Sequence, residues 1–271
     1  MFVLAPFADV CRRSLTTAVT GEFRGIDNYK QVFENKTFWL AAGNTAKLVL
    51  VCLPLLIGLG LIIACFLSRF TRIHFLKSAF LFPMAVPAAT VVLVWKLIFD
   101  RQGFLNLFLT RLGEAAYSAG VLQSAPVFDI DYMGTGAAFW VLVFSYIWKN
   151  LGYTVVLWLT GILSISTQIR EAARVDRAGE FTCFVKIIMP NLKPVLYTIT
   201  VLSFLNTFKA FREAYLVAGS YPDESMYLLQ HLFNNWFTNL DFDKMAAAAV
   251  ILGFILFAAI LLLQKLWDEG E

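Results

Sequence analysis

Twenty consecutive residues, Leu48 to Leu67, carry no charge, and a second uncharged run of twenty extends from Met245 to Gln264. A helix of about 20 apolar residues matches the hydrocarbon thickness of a bilayer. Ser78 to Trp95 adds eighteen more uncharged residues. Two further stretches are apolar but interrupted. Met133 to Ile169 contains one charge, Lys149, and Pro194 to Val217 runs clean to Phe208 before meeting Lys209, Arg212 and Glu213. The chain is therefore expected to be an all-α membrane protein with five full transmembrane helices.

Composition agrees with a lipid environment. Of 271 residues, 59% are hydrophobic and 15% are charged, where a soluble domain carries about 25% charged residues. The amino terminus departs from the pattern. Met1 to Ala8 is apolar, but Asp9, Arg12 and Arg13 follow at once, and so short a run cannot span a bilayer as a helix. It also lacks the basic leader and full apolar core of a signal peptide. Residues 1–37 are read as a short or truncated first helix followed by an outer segment.

Several classes of function are excluded. The net charge is only +3 and the basic residues are dispersed, so no nucleic acid partner is expected. The four cysteines form no CxxC pair, and reduced, buried thiols are expected. His74 and His231 lie far apart without neighbouring ligands, so no metal site is expected. No phosphate-binding GxxxxGK[ST] loop, HExxH or GxSxG occurs. The chain is read as a non-enzyme with no cofactor of its own, and any energy source must lie in another subunit.

Polar groups within a span are costly and point by default to function. The fourth apolar stretch carries Lys149, Asn150 and Tyr153 near its centre, and the fifth carries Asn206, Lys209 and Glu213 at helical spacing on one face. These six are the candidate solute path. Trp148, Tyr153 and Phe208 could offer aromatic faces to a solute. The plainer alternative for Lys209 and Glu213 is a structural ion pair, or an anchor at the membrane interface. Pro54, Pro83, Pro87, Gly58, Gly60 and the run Ala246 to Ala249 are read as kinks and close helix contacts.

Lys and Arg set orientation. Arg69, Arg72 and Lys77 occupy one short loop, and Arg170, Arg174, Arg177, Lys186 and Lys193 occupy another. The two alternate correctly across the spans, so both can face the cytoplasm, as does the carboxyl terminus from Lys265. The segment from Lys96 to Tyr132 is amphipathic at first and is expected on the outer surface.

The second basic loop reads Glu171-Ala172-Ala173-Arg174, with Asp176, Gly179, Ile187 and Pro190 following. Ala172 and Ala173 are small and helix-favouring, so a partner surface could approach closely. Pro190 and Pro194 stop one helix and admit the next. This spacing resembles the EAA loop of permease subunits from bacterial ABC importers. Phe23 to Tyr29, Phe38-Trp39 with Asn44-Thr45, Phe82-Pro83 to Pro87, Trp95 to Phe99 and Asp241 to Ala249 resemble further segments of the carbohydrate-uptake permeases, in particular the MalF-like partner of the pair. The resemblance covers nearly the whole chain.

That resemblance implies a type I ABC importer transmembrane domain, MetI-like, as a single domain over 1–271 with a cytoplasmic coupling loop at 164–194. It assigns Glu171, Ala172, Ala173, Arg174, Asp176, Gly179, Ile187 and Pro190 to ATPase coupling. It implies a bacterial inner-membrane location, a second permease subunit, a cytoplasmic ATPase pair that binds the ATP, and an extracellular sugar-binding protein. The family motif has glycine where this chain has Arg177. Either Gly179, two residues on, ends the short helix in a left-handed conformation after a shifted turn, or the loop bends differently. Rival readings are an importer for a sugar phosphate or polyol, an ion-coupled secondary transporter, and a membrane scaffold protein.

Overall fold

The computed structural model describes residues 4–18, 20–70, 73–166, 168–169 and 179–268. Its helices are α1 (Leu4–Ser14), α2 (Asp27–Glu34), α3 (Lys36–Leu67), α4 (Ile73–Ala85), α5 (Ala88–Phe99), α6 (Phe104–Ser118) and α7 (Ala138–Ser164). They continue with α8 (Glu180–Asn191), α9 (Lys193–Thr207), α10 (Phe211–Ala218), α11 (Leu229–Thr238) and α12 (Phe242–Asp268). Among the described residues the β structure is one isolated antiparallel bridge, Thr16 to Phe23. The chain divides into two compact units, residues 1–47 with 218–271, and residues 48–217.

Among the described residues three helices are each long and apolar enough to span a membrane, α3, α7 and α12, and the total is five if each of two bent pairs is one span. The first bent pair corrects the expectation of one helix from Ser78 to Trp95. The segment breaks between Ala85 and Ala88, with a bend of 91°. Pro87 is the physical cause: it has no N–H to donate, and its ring drives the preceding Val86 out of the helical region. Pro87 then sits as the residue before α5 at φ −57° and ψ 138°. Pro54, by contrast, lies inside a continuous α3. The second pair, α8 with the helices to Ala218, bends by 64° at Leu192, between Pro190 and Pro194.

In the unit of residues 48–217, α7 is the central element. Its apolar residues Val155, Trp158, Leu159 and Ile162 pack with Ala64 and Leu67 of α3 and with Leu192 and Ile199. The indole of fully buried Trp158 donates to the Ile57 carbonyl at 3.1 Å. Close approach depends on small residues. A Cβ at Gly60 would lie 2.6 Å from the Thr154 methyl, whereas one at Gly58 would meet no described atom within 4 Å. After α5, α6 leaves its Phe104, Leu107 and Leu112 exposed. Buried Asn106 ties α6 to its neighbours, donating to the carbonyls of Arg101 and Ile130 at 2.9 Å each.

The unit of residues 1–47 and 218–271 has its own core: Val32, Phe38, Ala41, Leu232, Trp236, Ala247 and Ala248, with Tyr227 and Leu229. Ala247 and Ala248 are fully buried, as expected for the alanine run. Asn35 caps α3 with its side-chain oxygen, which accepts from the N–H of Thr37 at 2.8 Å and of Phe38 at 3.3 Å. A polar network binds the segment before α11. Asn44 donates to the carbonyls of Glu224 and Tyr227, Thr45 accepts from the Leu229 N–H at 3.0 Å, and Asn235 donates to the Tyr227 hydroxyl at 2.9 Å. The eleven residues of α1 reach about 16 Å, well short of a bilayer. Arg12 and Arg13, awkward beside lipid, both pair with Asp9, at 2.9 and 2.6 Å.

Candidate functional site

Lys149 and Glu213 form an ion pair that joins α7 to α10. Their side chains are only 20% and 14% exposed. An exposed pair contributes about 0–1 kcal/mol, but removing one partner of a buried pair costs about 3–5 kcal/mol because the other charge is left stranded. This pair belongs nearer the second case. It corrects the local alternative of a Lys209–Glu213 pair. The four-residue spacing allows that contact, but Lys209 instead donates to the Asn206 side-chain oxygen at 2.9 Å.

The pair borders a cavity of about 160 Å³. Lys149, Asn150, Asn206, Lys209 and Glu213 all line it, so five of the six path candidates converge on one space. Asn206, Lys209 and Glu213 stay on one side although the 3-10 turn Phe208–Ala210 interrupts the helix between them. Leu142, Met84 and Ala210 supply an apolar wall. A second cavity of about 700 Å³ adjoins the α4–α5 break and shares Lys149 and Met84 with the first. Arg212, expected on a neighbouring face, lines this second space.

Tyr153 is the path candidate that the cavity leaves out. Its hydroxyl bonds the Ser203 hydroxyl at 2.5 Å and staples α7 to α9. The expected aromatic faces are also displaced. Trp148 packs edge-on against Trp95 at 5.4 Å, and Phe208 against Phe204 at 5.7 Å. The aromatic residue at the cavity is Tyr146, whose hydroxyl lies 3.3 Å from the Ser203 carbonyl and 3.2 Å from the Thr207 hydroxyl. Asn150 donates to the Tyr146 carbonyl at 2.8 Å. Tyr146 was legible as the residue one helical turn before Lys149 and Asn150, on the same stripe.

Of the coupling residues, Glu171, Ala172, Ala173, Arg174 and Asp176 lie outside the described residues. Gly179 does not adopt the left-handed conformation. Its backbone is extended, at φ −62° and ψ 156°, and it stands as the residue before α8. Ile187 lies in a π-helical turn, Phe184–Ile188, and Pro190 in the helical turn after it. No residue from Glu180 to Asn191 is buried, and Phe181 is 79% exposed. The segment thus offers an accessible face beside its proline bend. The four cysteines are free thiols. Cys52 is buried as expected, while Cys11, Cys65 and Cys183 are only half-buried.

Residues 56–268 match the family described as binding-protein-dependent transport system inner membrane component. The sulfoquinovosyl glycerol transport system permease SmoG of Agrobacterium fabrum is 28% identical over 88% of this chain and 75% of that protein. The trehalose/maltose transport system permease MalF of Thermococcus litoralis is also 28% identical, over 94% of this chain and 82% of its own length. A solved chain of a bacterial ABC transporter that imports the acidic polysaccharide alginate shares the fold at TM-score 0.82, with 16% identity, covering 99% of this chain and 90% of that one. The fold is that of an ABC importer membrane subunit, and the chain belongs to the binding-protein-dependent transport system inner membrane components.

Proposed function

We infer that this chain is a permease subunit of a bacterial ATP-driven sugar importer and forms half of its translocation path. The observation that carries the reading is the cavity at Lys149 and Glu213. There, ammonium, carboxylate and carboxamide groups face an apolar wall of Leu142 and Met84, between α7, which is long enough to span a bilayer, and the two bent helix pairs. A sugar presents hydroxyls that both donate and accept, together with an apolar ring face, and this lining matches both. The carbohydrate cargoes named for the two permease relatives support the class of solute.

In this reading a second permease completes the path, and an extracellular binding protein delivers the sugar. A cytoplasmic ATPase pair holds the ATP, and this chain carries no cofactor. The loop at 164–194 and the carboxyl terminus face the cytoplasm. Closure of the ATPase pair would move the coupling loop and change which side of the membrane the cavity opens to. The test is ATP-driven uptake by proteoliposomes containing the complex, with a panel of labelled disaccharides and glycosides. Concentrative uptake of at least one sugar that stops without ATP is expected. Uptake driven by an ion gradient alone would overturn the reading.

A further inference from the structure

The proposed importer must keep its path closed to small solutes between transport cycles, and the inference that follows rests on that reading. Lys149 and Met84 are the two residues common to both cavities, so their side chains stand where the two spaces meet. Lys149 is held there by Glu213. Opening this partition by pulling Lys149 away would strand a half-buried carboxylate, which is costly in a membrane. A second cation lines the same cavity. Lys209 lies one helical turn before Glu213 and rests on the uncharged Asn206 oxygen at 2.9 Å.

We propose that the Lys149–Glu213 ion pair is this subunit's share of the closed partition of the path, and that it opens by exchange of Glu213 from Lys149 to Lys209. Both states keep the carboxylate paired, so the barrier between them stays low enough for turnover. Asn206 parks Lys209 in the closed state and releases it in the open one. Arg212 faces the larger cavity and stays outside the exchange.

The experiment uses the assembled complex in proteoliposomes. Without ATP, wild type should retain trapped labelled erythritol, while Lys149→Met and Glu213→Gln should leak it about tenfold faster. The double swap Lys149→Glu/Glu213→Lys should restore retention. Lys209→Met should retain erythritol fully yet slow ATP-driven sugar uptake about tenfold. Leakage from both single variants no faster than wild type would overturn the proposal, as would a leaking double swap that still assembles. Should Glu213→Gln fail to assemble, Lys209→Met decides, because Lys209 is exposed and the ion pair is intact; uptake at the wild-type rate would overturn the exchange. Erythritol leakage needs no transported cargo. Failure of the importer reading would instead appear as a wild-type complex that transports no sugar.

Discussion

Gly152 of α7 meets the backbone carbonyl of Phe80 of α4 so closely that a Cβ at position 152 would fall on the carbonyl oxygen. Backbone cannot move aside as a flexible side chain can, so the two helices pack only with glycine here. Gly152→Val should separate α4 from α7 and disturb the cavity residues Met84 and Lys149 with them. Overpacking typically costs about 1–3 kcal/mol, and a backbone clash stands at or above the top of that range. Thermal unfolding of the purified complex should show a clear drop. An unchanged midpoint would contradict this packing.

Asn235 holds the segment before α11, donating to the Tyr227 hydroxyl at 2.9 Å and to the Ser220 carbonyl at 3.1 Å. Asn235→Ala leaves both acceptors without this donor, at a cost of about 1–3 kcal/mol. Faster proteolysis between Gly219 and Leu228 is the expected result, measured by mass spectrometry of cleavage products.

His231 is fully buried, stacks on Tyr227 at 5.5 Å between ring centres, and accepts the Leu228 N–H at 3.0 Å through Nδ1. Burial disfavours the imidazolium and pulls its pKa from 6.5 to about 4. Between those values the unfolded chain binds a proton that the folded chain excludes, so stability is full above pH 6.5 and falls as pH drops towards 4. The whole effect amounts to about 3 kcal/mol. Melting temperatures at pH 7.5 and pH 5 should differ in wild type and differ less in His231→Gln.

Asn150 and Asn206 offer uncharged hydrogen-bonding groups at the cavity. Asn150→Ala and Asn206→Ala should each raise the half-saturating sugar concentration about fivefold, the loss of one neutral hydrogen bond. Normal rate and affinity in both variants would remove these residues from the path.

Much of this architecture was readable as hydropathy. Leu48–Leu67 and Met245–Gln264 lie inside α3 and α12, because twenty uncharged residues admit few alternatives. The extension of α3 back to Lys36 was hidden. Asn44, Thr45 and Lys47 look polar, yet Asn44 and Thr45 are used in the network that fixes the segment before α11. Pro87 announced a kink, but its 91° size depends on packing that no local pattern encodes. The path residues were found by their polarity within apolar runs. Their pairing was not, because the partner of Glu213 is sixty-four residues away on α7 rather than one turn away at Lys209. Tyr153 and Trp148 share the central stretch of α7 with Lys149, and only tertiary packing decides which of them turns to the cavity.

We propose that this membrane chain works only when coupled to an ATPase. The most direct measurement is gentle purification of the tagged chain from its native host, with identification of the bound proteins and assay of ATP hydrolysis. A second permease and an ATPase should co-purify, and Glu171→Arg should lose the ATPase while the two permeases stay together. Recovery of the folded wild-type chain alone, with no ATPase and no ATP hydrolysis, would contradict the account.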